Sequence, residues 1–90
     1  SAHHWLALAL AAQGRFPEAF AEIRTAKRIA PNSTTIISAA GIIYFYNRQY
    51  EEAKREAEEA LRIDEGSLAA IGLLRWSSIM QGRAAEAFSH

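Results

Sequence analysis

Few residues in this chain could do chemistry, and their spacing limits what each can do. His3 and His4 are adjacent. On a helix, neighbouring side chains point about 100° apart, so the two cannot close on one metal ion as an i, i+4 pair does. His90 stands at the opposite end of the chain. The absence of cysteine removes thiolate ligands, thiol nucleophiles and disulfide frameworks together. Glu18 and Glu22, then Glu52 and Glu56, form acidic pairs on what reads as a solvated helix face. Catalytic carboxylates need a cleft that holds one of them protonated, and nothing in the pattern supplies one. No phosphate loop, metal-ligand spacing or Ser-His-Asp arrangement is present. The expectation is a protein that is not an enzyme, with no catalytic residue, no metal and no cofactor.

Charge and hydropathy exclude two classes of partner. Ten basic residues balance ten acidic ones, so no net field draws the chain to nucleic acid or to an anionic membrane. Arg24, Lys27 and Arg28 make a small basic cluster, read as a solvated face. No charge occurs from Ile29 to Asn47, but Pro31 and the polar residues 32–35 interrupt that run. What is left is about a dozen residues against the roughly 20 that a bilayer span needs, so it reads as a buried helix. With no signal or membrane-spanning segment in this stretch, the expected location is cytoplasmic.

The elements that position these residues repeat. Residues 14–31, GRFPEAFAEIRTAKRIAP, return 34 residues later as RQYEEAKREAEEALRIDE, and Gly82 opens the pattern again as GRAAEAFSH. A fixed period in this range means stacked copies of one supersecondary unit. Residues 2–13 are dense in Ala and Leu and form a helix on which Leu6 and Leu10 share a face. Gly14 suits its left-handed end, and Pro17 suits the first turn of the next helix. There Ala19, Ile23, Ala26 and Ile29 make an apolar stripe that Pro31 stops. Asn32 and Ser33 can cap a third helix over 34–46, apolar round most of its circumference and therefore buried on more than one side. A turn at 47–49 leads to a fourth helix over 50–63 with Ala53, Ala57 and Ala60 inward. Its outer face pairs Glu51 with Arg55, Lys54 with Glu58 and Glu58 with Arg62 at i, i+4. Gly66 and Ser67 close the next turn. A fifth helix over 68–80 puts Ile71, Leu74 and Ser78 inward, and Gly82 turns the chain into a sixth helix that has barely begun at His90.

A 34-residue helix–turn–helix of this kind resembles the tetratricopeptide repeat. The resemblance rests on Leu6, Ala7, Leu10, Gly14, Phe16, Ala19, Ile23, Ala26 and Pro31. It continues with Gly41, Tyr44, Tyr50, Ala53, Ala57 and Ala60, then Leu74, Gly82 and Ala87. It implies an all-α solenoid of helical hairpins in one domain of about two and a half repeats, over 1–33, 34–67 and 68–90. The style of the first copy is similar to bacterial repeat arrays attached to signalling or transcription-regulator proteins. Four departures stand out. Arg48 replaces the usual turn glycine and Glu65 the closing proline. Arg75 occupies a position for a small residue facing Ala87, and Ser78 replaces a bulky side chain. A buried unpaired guanidinium is costly, so either Arg75 reaches the edge or the third hairpin packs more openly.

Such repeats bind proteins or peptides in the concave groove formed by the first helix of each hairpin. Here the resemblance puts His4, Leu8, Ala11 and Ala12, then Thr35, Ser38, Ile42, Phe45 and Tyr46, then Gly72, Trp76, Ile79 and Met80 in that groove. The Lys, Asn and Arg that clamp a terminal carboxylate in the chaperone-binding subfamily are missing from these positions. The groove is apolar and aromatic instead, with Leu8, Ile42, Phe45, Tyr46, Trp76, Ile79 and Met80 as its partner-binding residues and Phe45, Tyr46 and Trp76 as anchors. The expected function is a scaffold that takes a partner peptide or helix. The alternative is a structural module that self-associates or stacks within a longer array.

Overall fold

The computed structural model of the chain describes residues 2–89, with side chains from His3 to Glu86. It is all-helical over these residues: α1 (Ala2–Ala12), α2 (Phe16–Ile29), α3 (Thr34–Tyr46), α4 (Tyr50–Ile63) and α5 (Leu68–Ser89). Helices α1 and α2 pair as one hairpin and α3 and α4 as a second, α3 also resting on both helices of the first; α5 packs on α4 and α3. The Cα trace measures 44 × 30 × 16 Å, thin enough that recesses are open clefts rather than closed cavities.

Local signals build the hairpins as the spacing predicts. Both α1 and α3 end in a Schellman motif, with nested bonds from Arg15 N to Leu10 O and Gly14 N to Ala11 O in the first. Gln49 N to Tyr44 O and Arg48 N to Phe45 O repeat them in the second. The motif needs a left-handed residue, and Gly14 supplies it at φ 80°. In the second copy Arg48 adopts φ 61° without glycine's freedom, so this turn forms under backbone strain. Ser33 Oγ accepts from Ile36 N at 3.4 Å, and Ser67 Oγ accepts from Ala70 N at 3.3 Å, capping α3 and α5 alike.

The core is a set of alanine-lined helix crossings. Ala7 and Ala11 meet Ala19, Ile23 and Ala26, with Ile36, Ala39, Ala40 and Ile43 closing the cluster from α3. Ala53 and Ala57 meet Leu73, while Ala60 meets Ile37 and Ala70. Gly41 lies where α3, α4 and α5 converge. A Cβ there would stand 2.3 Å from Leu73 Cδ2 and 3.2 Å from Glu56 Cβ, so the three helices approach this closely only because the side chain is missing.

Several expectations need correction. Among the described residues there is no sixth helix: α5 runs unbroken through Gly82 to Ser89. The inward residues of α5 are Ala70, Leu73 and Ser77, one position before the expected Ile71, Leu74 and Ser78. Ile71 and Ser78 are exposed, and Leu74 is half-buried beside Ala53 and Ala57. The two errors have one cause. Ala70, Leu73 and Ser77 repeat Ile36, Ala39 and Ile43, which face the preceding hairpin, whereas Ile71 and Ser78 repeat Ile37 and Tyr44, which α4 covers with Ala60 and with Ala53 and Ala57, Tyr44 also meeting Phe20 of α2. Since α5 does not turn back, only its first face is covered. Arg75 is exposed on the second; the side chain of Ala87, expected to face it, lies outside the described residues, as does His90. Ile29 is 64% exposed, because the α2 stripe ends at Ala26 where α3 crosses. Leu6 is exposed too, its place inside α1 taken by Ala7 and Ala11.

The polar surface is tied together across helices more than the sequence suggests. His3 Nδ1 donates to Glu22 Oε2 at 2.8 Å, joining α1 to α2. Lys27 Nζ bonds Glu56 across the two hairpins, so neither group belongs to a purely solvated face. On α4 the i, i+4 pairs give way to Arg62 with Glu59 at i, i+3, and Glu51 and Lys54 turn to Gln81 of α5. Hydrogen bonding from Gln81, helped by the Lys54 charge, holds the Glu51 carboxyl below its ordinary value. The Arg62 hydrogen bond does the same for Glu59.

Candidate functional site

The first helix of each hairpin, together with α5, lines one side of the molecule, where two clefts lie end to end. The larger encloses about 650 Å³ and is lined by Ile42, Phe45 and Tyr46 of α3 and by Leu68, Ala69, Gly72, Leu73, Trp76 and Met80 of α5. Helical spacing explains the α5 set, since Leu68 or Ala69, Gly72, Trp76 and Met80 succeed each other at three or four residues. Ser67 caps the helix and so sets its register against α3. The cleft is almost wholly apolar. Leu68, Trp76 and Tyr46 are 83%, 54% and 53% exposed, far more than a core side chain tolerates. Phe45 is held from behind, edge-on to Tyr50 with ring centroids 5.4 Å apart, and it also meets Tyr46 at 6.5 Å. Phe45 is thus a fixed wall, whereas Tyr46 and Trp76 are the more exposed side chains at the rim.

The second cleft, about 250 Å³, opens between α1, α3 and the start of α5. It is lined by His4, Trp5, Leu8, Thr34, Thr35, Ser38, Ala39, Ile42, Ser67 and Ala69. Ile42 and Ala69 belong to both clefts, which makes them one continuous groove with a hydroxyl-bearing end and an aromatic end. Of the residues expected in this groove, Ile42, Phe45, Tyr46, Trp76 and Met80 line the aromatic cleft and Leu8 the smaller one. Ile79 lines neither, because it is turned to the outer side of α5 and is 37% exposed. His4 is buried with its ring 4.9 Å from Trp5, so it serves as wall rather than as a free ligand. Leu68 and Ala69 went unread in the sequence, although their place immediately after the Ser67 cap and one turn before Gly72 marks them as groove positions.

No group of three or more His, Cys, Asp or Glu side chains able to hold a metal occurs among the described residues. The four glutamates of the acidic pairs are engaged elsewhere: Glu22 with His3, Glu56 with Lys27, Glu18 with Arg15 and Glu52 with Gln49. No helix among the described residues is long and apolar enough to cross a membrane.

Against known families, residues 36–67, which take in α3 from its third residue, all of α4 and the turn beyond it, match the tetratricopeptide repeat. The α3–α4 hairpin is a tetratricopeptide repeat. No curated protein and no solved structure matches the chain. The tetratricopeptide repeat is in general a non-catalytic module of protein–protein interaction, and the five helices pack consecutively as its hairpins do. The α1–α2 hairpin, outside the matched residues, has its left-handed turn residue at Gly14 and a buried alanine at Ala19, 34 residues before Arg48 and Ala53.

Proposed function

We propose that the chain is a non-catalytic interaction module whose groove takes an amphipathic helix or extended peptide of a protein partner, with Tyr46, Trp76 and Met80 as anchors against a wall of Ile42 and Phe45. The observation behind this reading is the aromatic cleft itself. Large side chains stay exposed beside a recess of about 650 Å³, and the only polar side-chain groups of its lining residues are the Tyr46 hydroxyl and the Trp76 indole N–H. Burying a Trp or Leu of this kind against a partner contributes about 1.5–3 kcal/mol per side chain, enough for a few of them to dominate binding. A partner segment with bulky apolar residues at i, i+3 and i+4 matches such a surface. No lysine, arginine or carboxylate lines either cleft, so the partner's contacting residues are uncharged.

The test is a peptide-library selection on the intact chain, followed by titration of the selected peptides. Trp76 reports binding by fluorescence when Trp5, the other tryptophan, is replaced by Phe. Trp76→Ala is expected to weaken binding about 30-fold or more, while Leu6→Ala on the outer side of α1 leaves it unchanged. Equal losses from both variants, or selected peptides that compete at a site away from α3 and α5, would sink the reading.

A further inference from the structure

Helix α5 carries an exposed stripe that starts at Arg75, the position matching Gly41 under α4, and its residues are complementary to themselves. Arg75, Ile79, Gly82 and Glu86 recur at three or four residues along one outer stripe, with Ser78 beside them; all are exposed. Arg75 and Glu86 make no ion pair or hydrogen bond with any other described residue, unlike Arg15, Lys27 and Arg62. They are three turns apart and therefore share a face to within about 20°. Between them the stripe is uncharged.

We infer that two copies of this chain pair through α5, antiparallel about a twofold axis. Opposite charges at the two ends of one stripe satisfy each other twice in that arrangement: Arg75 meets the partner subunit's Glu86, and Glu86 meets the partner subunit's Arg75. The same register sets Ile79 over the partner subunit's Gly82. A Cβ at Gly82 would meet nothing within 4 Å, so no other part of the chain blocks the approach of that side chain. A parallel pair would instead set Arg75 against Arg75 and Glu86 against Glu86. A helix folding back within one chain would have to lie on Arg75, at the position where Gly41 permits the close approach of α4. Trp76 and Met80 project from a different side of α5, so the groove stays open in the dimer.

A single pair of 22-residue helices, each about 33 Å long, gives an interface at the small end of the stable range. The dimer is expected to be concentration-dependent, with a dissociation constant on the order of 10–100 µM. Sedimentation equilibrium of the full chain, from about 5 µM to about 1 mM, measures it by mass action. Arg75→Glu and Glu86→Arg, each alone, are expected to raise the dissociation constant at least about tenfold by placing like charges together. The double variant restores the pairing to within about threefold. Because both positions are exposed, helix content and melting of the dilute protein should be unchanged in all three, which separates lost pairing from lost folding. A monomer throughout the concentration range overturns the inference. So does a dimer that either single reversal leaves intact, one that the double variant fails to restore, or one that Trp76→Ala abolishes.

Discussion

Helices α3 and α5 start alike and end differently. Each begins behind a serine cap, at Ser33 and Ser67, and each lays residues at the same spacing onto the preceding hairpin: Ile36, Ala39 and Ile43 in one, Ala70, Leu73 and Ser77 in the other. Just beyond the end of α3 the chain bends at Arg48, a poor residue for a left-handed turn. At the matching place in α5 it runs straight through Gly82, the residue type best suited to such a turn. Turn propensity therefore did not decide where the chain folds back. What differs is the face open to a returning helix: α4 packs on Ile37, Gly41 and Tyr44, whereas the same face of α5 offers Ile71, Arg75 and Ser78. The small residue and the aromatic that reward the second closure are missing from the third.

The strongest way to break this comparison is to put a bulky side chain on α3 at Gly41, the position that Arg75 matches on α5. Gly41→Leu must displace Leu73 and the α4 backbone near Ala53, and is expected to destabilise the chain by about 3 kcal/mol or more in urea denaturation. Arg75→Ala at the equivalent, uncovered position should change stability by less than about 0.5 kcal/mol. A comparable loss from both would mean that α5 is covered after all.

The glycines sharpen the contrast through opposite signs. Gly14→Ala imposes a Cβ on a residue at φ 80°, with no neighbour within 4 Å, so its cost is backbone strain alone, about 1–2 kcal/mol. Gly82→Ala, inside a continuous helix and also without a neighbour, should instead stabilise by about 0.5–1 kcal/mol. Thermal melts of dilute protein compare the two, and a loss at Gly82 would show that the chain bends there. At Arg48, replacement by Gly relieves the left-handed strain and should add about 0.5–1 kcal/mol.

The smallest effect concerns the polar tie between α4 and α5. Gln81→Ala removes the hydrogen bond that lowers the Glu51 carboxyl, which should titrate nearer its ordinary value when monitored by NMR. A depressed carboxylate stabilises the fold above its unfolded value, and that contribution is lost as pH falls through the lowered folded value. The variant should accordingly lose less stability than the parent when both are taken to acid.

Much of this fold was legible in the sequence because its signals are short-ranged. Caps at Ser33 and Ser67, the end of α1 at Gly14 and the alanine stripes each depend on residues within one or two turns, and the 34-residue period multiplies them. The aromatic half of the groove was legible for the same reason, since Ile42, Phe45 and Tyr46 share one helix side and Trp76 and Met80 repeat the pattern on α5. Ile79 was not separable from them, because an apolar residue between two helix faces carries no mark of the face it will join. The tertiary structure alone decided the register of α5, the fate of Gly82, and the pairing of Lys27 with Glu56 and of His3 with Glu22. Each of these depends on what lies across a gap from the residue, and a helical period specifies which residues share a face without specifying whether anything covers it.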